Sequence, residues 1–126
     1  MIEYINHASA PLPRGHYSQA VKANGLIFVS GQLPIMLGDD LKIPAGLDAQ
    51  VRQVFDNLKA ILLASGSSMQ NLVNVQIFIA DIANWPRVNE LYAQILGDGP
   101  APARTVVPCP TIHYGAELEV NAIAVA

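Results

Sequence analysis

Two ionisable residues in unusual settings hold most of the chemical promise of this chain. Glu119 lies in an otherwise apolar C-terminal segment, with Glu117 and Asn121 on the same side of any strand it forms. Arg104 stands alone 15 residues earlier, directly after a proline-rich stretch. Two readings of the pair stand open. In one, Glu117 and Glu119 line a solvated sheet face and Arg104 pairs with one of them. In the other, Arg104 grips a small anion through its bidentate guanidinium fork, and Glu119 moves protons beside it.

Other chemistries lack their residues. His7, His16 and His113 share no HxxxH or HxH spacing, whereas a zinc site needs three or four ligands; the three read as structural or surface residues. The single Cys109 excludes an intrachain disulfide and a cysteine-based metal site, and it reads as a small buried hydrophobe. No GxGxxG, GxxxxGK[ST] or GxSxG occurs, so dinucleotide, P-loop and nucleophile-elbow sites have no signature. The expectation is chemistry without a cofactor, a metal or a covalent serine.

Charge narrows the partners. Lys plus Arg is 7 and Asp plus Glu is 10, a formal net charge of −3. That balance, with a pI near 5.4 and no basic run, offers no footprint for a phosphate backbone, and nucleic acid is not expected. Hydrophobic residues make up 52% and charged residues 13%, against about 25% charged in an average soluble domain. This is too little charge to coat a small monomer, so a homo-oligomer is expected. No run approaches the roughly 18 apolar residues of a membrane helix, and Met1 to Asn6 carries Glu3 without the basic start of a signal peptide. The expected setting is a reducing cytoplasm, away from membranes.

The elements that must position Arg104 and Glu119 fit one domain over residues 1–126. Ile2 to Ile5 is a short strand. His7 to His16, with Pro11, Pro13 and Gly15, is an ordered loop. Tyr17 to Lys22 and Leu26 to Ser30 form a hairpin turned at Asn24-Gly25, and Pro34 to Gly46 is turn-rich. Helical spacing of Val51, Val54, Phe55, Leu58, Ile61 and Leu62 predicts a helix from about Asp48 to Ser65, stopped at Gly66. Leu72 to Ile82 follows as a strand apolar on both faces, with Val73, Val75, Ile77 and Ile79 on one side and Phe78 and Ala80 on the other. A second helix starts near Asn84 as N-cap and ends at Gly97. Arg104 to Val107 and Ala116 to Val125 are the last strands. Two helices cover only one face of such a sheet. The other face, still partly apolar, calls for self-association.

Several separated segments carry a resemblance. Gly15-His16-Tyr17-Ser18-Gln19-Ala20-Val21, Val29-Ser30-Gly31-Gln32-Leu33-Pro34, Asn57, Asn89 with Tyr92, Pro102-Ala103-Arg104 and Glu119 through Ala124 resemble the RidA/YjgF family of imine deaminases over nearly the whole chain. The resemblance implies an α+β, chorismate-mutase-like domain: a mixed sheet with two helices on one face, assembled as a homotrimeric barrel with sites between subunits. It implies cofactor-free hydrolysis of 2-imino acids such as 2-iminopropanoate and 2-iminobutanoate, the tautomers of reactive enamines, to 2-keto acids and ammonia. Residue by residue, Arg104 matches the arginine that binds the substrate carboxylate, and the backbone N–H of Val106 matches a second carboxylate contact. Glu119 matches the glutamate that positions or activates water. Tyr17 matches a catalytic-site ring that lines the pocket with a hydroxyl able to reach the substrate, and Ser30 and Gly31 match a turn whose polar groups face the imine, Gly31 permitting close backbone approach.

The chain also departs from that family. Val106 stands where the deaminase branch has Cys, His16 where it has Pro, and Asn121 where it has a second acid. A backbone role at 106 is served by Val as well as by Cys; a thiol role is not. Two further readings follow: a deaminase of a larger, aminomuconate-like catabolic enamine, or a small-molecule sensor or holdase that uses the same clefts without turnover.

Overall fold

The computed structural model describes residues 1–126. Its strands are β1 (Glu3–Ile5), β2 (Ala20–Ala23), β3 (Leu26–Gln32), β4 (Leu72–Ile79), β5 (Ala103–Pro108) and β6 (Leu118–Val125). The helix α1 (Leu47–Ala64) lies between β3 and β4 in the chain, and α2 (Trp85–Leu96) between β4 and β5. All six strands form one sheet in the order β1-β2-β3-β6-β4-β5. β4 and β5 are parallel, and every other pair is antiparallel. Since β3 and β4 both pair antiparallel with β6, the strands β3, β4 and β5 run the same way. The two crossovers, β3-α1-β4 and β4-α2-β5, step in the same direction across the sheet. Parallel crossovers are right-handed in about 98% of cases, so both helices land on one face, as the α+β reading expects.

That face holds the core. Val51, Val54, Phe55, Leu58, Ile61 and Leu62 of α1 and Val88, Leu91 and Tyr92 of α2 bury against Val75, Ile77 and Ile79 of β4 and Leu118, Val120, Ala122 and Ala124 of β6. Each large aliphatic or Phe side chain so buried contributes roughly 1.5–3 kcal/mol. The Phe55 and Tyr92 rings meet edge-to-face at 5.6 Å, an arrangement the ring quadrupoles favour. At the surface Arg87 of α2 forks onto the Asp48 carboxylate at the start of α1 and also reaches Glu90. The opposite sheet face is uncovered, with Phe28, Gln76, Phe78 and Ile123 exposed or half-exposed.

Several boundaries differ from expectation for local reasons. β2 begins at Ala20 rather than Tyr17. The preceding residues turn tightly, Tyr17 N donating to the Gly15 carbonyl, and Gln19 is turned inward to serve the N-terminal loop. Its buried amide reaches the His7 and Pro11 carbonyls at 3.0 and 2.9 Å and accepts from the His7 N–H at 2.7 Å. β4 stops at Ile79, because Asp81 caps a short 3-10 turn by accepting from Ala83 N. A register shift between Leu72 and Asn74 swaps one side of β4: Leu72 is buried, and Val73 is 42% exposed instead of joining Val75 and Ile77. β4 is also not covered on both faces within one chain. Asn84 occupies the N-cap of α2 without a capping hydrogen bond; its amide lies 3.5 Å from Glu117. The Asn24-Gly25 turn is as expected, with φ of 53° and 74°, the pair of positive values a type I′ hairpin requires.

Candidate active site

Glu119 is the second residue of β6 and pairs with Phe78 of β4, so its side chain stands on the uncovered sheet face. Its carboxylate packs directly onto Gly31 of β3, at the bulge where the β3–β6 register shifts. A Cβ at 31 would collide with the carboxylate oxygen and meet the carboxyl carbon. A side chain at 31 would therefore push the Glu119 carboxylate, the far end of a flexible side chain, out of this seat. We expect Gly31→Ala to fold normally but to displace Glu119, lowering kcat about tenfold or more if the carboxylate does chemistry, since such groups work at near-contact geometry. An unchanged kcat with an unchanged melting temperature would separate the two residues.

Ser30 does not present its polar groups to the site. Its hydroxyl donates to the Ser18 carbonyl at 2.6 Å and its N–H to the Gln19 carbonyl at 2.9 Å. These bonds hold the Tyr17–Gln19 segment against β3. Tyr17 is 51% exposed, with its phenol 3.5 Å from the Arg14 N–H. Together Tyr17, Gly31, His113 and Tyr114 wall a cavity of about 160 Å³. His113 also lines a neighbouring hollow of about 250 Å³ with Glu119, Phe78 and Cys109. Tyr17, Gly31 and Glu119 thus belong to one continuous region, with His113 as the side chain common to both hollows.

Sequence reasoning missed three residues of this region. His113 and Tyr114 sit on a 3-10 turn (His113–Gly115) before β6. Tyr114 has φ of 61°, a left-handed conformation that a bulky side chain adopts only under the insistence of its surroundings, and one that gathers at functional sites. The available signal was the Tyr114-Gly115 turn next to a histidine. Cys109 is not the buried hydrophobe expected: its N–H is still held by the Ile79 carbonyl of β4 at 2.8 Å, but its side chain is half-exposed and lines the hollow beside Phe78 and Glu119.

Arg104 lies elsewhere. It pairs with Val75 across β5 and β4, and Val75 faces the helices. The guanidinium accordingly lies 4.6 Å from the Trp85 ring and 4.9 Å from the Tyr92 ring of α2, and Nη1 donates to Asn89 Oδ1 at 2.8 Å. Two aromatic faces and an amide oxygen hold the charge without neutralising it. Burial raises the Tyr92 phenol above its ordinary pKa, opposed by Arg104, and its hydroxyl has no partner. Val106, two residues along, packs against the core on the same side.

Neither Arg104 nor Glu119 takes part in either ion pair of the chain, so the reading in which Arg104 pairs with a β6 glutamate does not hold within one chain. The two stand on opposite faces of one sheet. One chain assembles Glu119, Gly31 and Tyr17, and it holds Arg104 and Val106 at its far edge strand. No three His, Cys, Asp or Glu side chains converge as metal ligands, and no helix is long and apolar enough to cross a membrane.

Comparison with known proteins gives the frame. The family described as endoribonuclease L-PSP matches residues 7–126. The chain is 35% identical over 122 residues to Reactive Intermediate Deaminase A, chloroplastic, of Arabidopsis thaliana, covering 97% of this chain and 65% of that protein. The YjgF gene product of E. coli superposes with a TM-score of 0.91 at 32% identity over 98% of both chains. E. coli TdcF, solved with bound serine, does so at 0.92, again with 32% identity over 98% of both.

Proposed function

The chain belongs to the endoribonuclease L-PSP family, which includes the RidA/YjgF proteins, and on that premise we propose that it hydrolyses 2-imino acids to 2-keto acids and ammonia without a cofactor. The single observation that carries this reading is the Glu119 carboxylate, seated on Gly31 beside the Tyr17 cavity and free of any cation of its own chain. An unpaired carboxylate in a cleft is equipped to handle protons. Water attacks C2 of the imine as Glu119 takes one of its protons. That proton passes to nitrogen to give the carbinolamine. Glu119 then takes the carbinol hydroxyl proton and delivers it to the nitrogen as the C–N bond breaks, so that ammonia departs and the carbinol oxygen becomes the keto group. Arg104 binds the substrate carboxylate, with the Val106 N–H as second contact.

The opposite-face placement supports a homotrimer in which Arg104 of one subunit faces Glu119 of the next. The open face supports it too, since Phe28 and Phe78 await cover. β5 is an edge strand, and edge strands offer unpaired backbone groups to whatever packs beside them. The pI near 5.4 favours a small-molecule substrate over nucleic acid. The reading keeps the chain in a reducing cytoplasm, where Cys109 stays a thiol; the plant relative is named chloroplastic.

The test is a coupled assay. A serine/threonine dehydratase releases 2-aminoacrylate or its four-carbon homologue, and keto acid and ammonia are followed with and without this protein. Release faster than the spontaneous rate is expected, from a particle that light scattering sizes at three times the 13.5 kDa subunit. No acceleration at micromolar protein overturns the assignment.

A further inference from the structure

We propose that Arg14 is the specificity determinant of this site, and that the substrate is a 2-imino diacid whose distal carboxylate Arg14 receives. The inference rests on the deaminase reading above and names its substrate class.

The cavity beside Tyr17 and Gly31 is lined by two basic side chains, Arg14 and His113, and by no Asp or Glu. The nearest carboxylate in the region, Glu119, lies behind Gly31 in the adjoining hollow. Arg14 enters neither of the chain's ion pairs, and the bond it makes to Tyr17 uses its backbone N–H. Beyond it the cavity opens into a trough walled by Leu12, Met36 and Leu37, all more than 40% exposed. Asp39 is the one acid on that trough, and it stands outside ion-pair distance of Arg14. Arg14 is itself exposed, so its guanidinium is free to swing onto an anion held in the cavity and to make a charge-assisted, bidentate contact with it.

In the deaminase reading the substrate's own carboxylate goes to Arg104, on the opposite sheet face and hence from another subunit. A monoacid leaves Arg14 without an anion; a diacid satisfies both arginines. The space suits this. The cavity is about 160 Å³, and a cavity of about 150 Å³ accommodates a six-membered carbon ring, so a chain of five or six carbons is the right scale. His113, whose imidazole borders both hollows, supplies a further hydrogen bond to the distal carboxylate.

Amino-acid oxidases generate the imines of glutamate and 2-aminoadipate, and of 2-aminobutyrate and norvaline, in the presence of semicarbazide. Suppression of semicarbazone formation then reports hydrolysis. We expect the wild-type protein to favour the diacid imines in kcat/KM, and Arg14→Met to lower the diacid-to-monoacid ratio by about tenfold or more, about 1.4 kcal/mol per decade. Arg14→Lys should keep part of the preference. Calorimetric titration with 2-oxoglutarate against 2-oxobutanoate reads the same contact without turnover. Imine hydrolysis with a ratio that Arg14→Met leaves unchanged overturns the subsite and leaves the deaminase reading standing. No hydrolysis, with 2-oxoglutarate still binding through Arg14, overturns the deaminase reading and leaves the subsite standing. Equal binding of the two keto acids to wild type and Arg14→Met overturns the subsite in either case.

Discussion

Glu119→Gln should lower kcat by roughly 10²–10⁴, the span that a positioned general base contributes, while 2-oxobutanoate still binds. Glutamine keeps the shape of the side chain and its seat over Gly31, where the contact with the carboxyl group is tight, but it cannot accept a proton from water. The expected signature is a loss confined to kcat, with product affinity within about threefold, under about 0.7 kcal/mol. A glutamine variant that turns over normally but fails to bind the keto acid would recast Glu119 as a contact residue and remove the proposed mechanism.

Arg104→Ala should cut kcat/KM through loss of the substrate carboxylate, by about 2–5 kcal/mol, or roughly 30- to 5,000-fold. Arg104→Lys should recover little, since an ammonium has no planar fork. The side chain is exposed and its partners are Trp85, Tyr92 and Asn89 of its own chain, so the variant should fold. A stronger version of the experiment mixes subunits. If each site takes Arg104 from one chain and Glu119 from the next, every mixed trimer of Arg104→Ala and Glu119→Gln contains one intact site. Denaturing the two inactive proteins together and refolding them at equal ratio should then restore activity to roughly a quarter of the wild-type sites, by counting over the ring. Activity that stays at the level of the separate variants would place both residues in one chain's cleft. Near-wild-type rates for Arg104→Ala alone would make the arginine structural.

Much of this architecture was legible because it is written in local periods. The α1 stripe from Val51 to Leu62 and the β6 alternation from Leu118 to Ala124 recur at the spacing of their elements, and Asn24-Gly25 specifies its own turn. What stayed hidden depends on pairing between distant segments. Val73 reads as a core residue until a bulge against β6 turns it outward. Cys109 reads as buried until the fold sets it beside Phe78 and Glu119 in the open hollow. The motifs place Arg104 and Glu119 in one site, yet only the registers Val75↔Arg104 and Phe78↔Glu119 put them on opposite faces of the sheet. His113 and Tyr114 carry no periodic signal, and only the fold brings them beside Tyr17.

Gln19 ties the segment from His7 to Pro11 to the sheet through its buried amide, while Ser30 fixes Ser18 and Gln19 from the other side. The fastening lies behind the wall, in backbone carbonyls and N–H groups that any sequence supplies. The residues in front, Leu12 and Arg14, contribute nothing to it through their side chains. The loop is thus a faceplate bolted from the rear: its outward residues are open to replacement without disturbing the bolts. A lineage built on this scaffold can change the side chains it presents by swapping a few surface letters, while the Glu119–Gly31 floor beneath stays as it is.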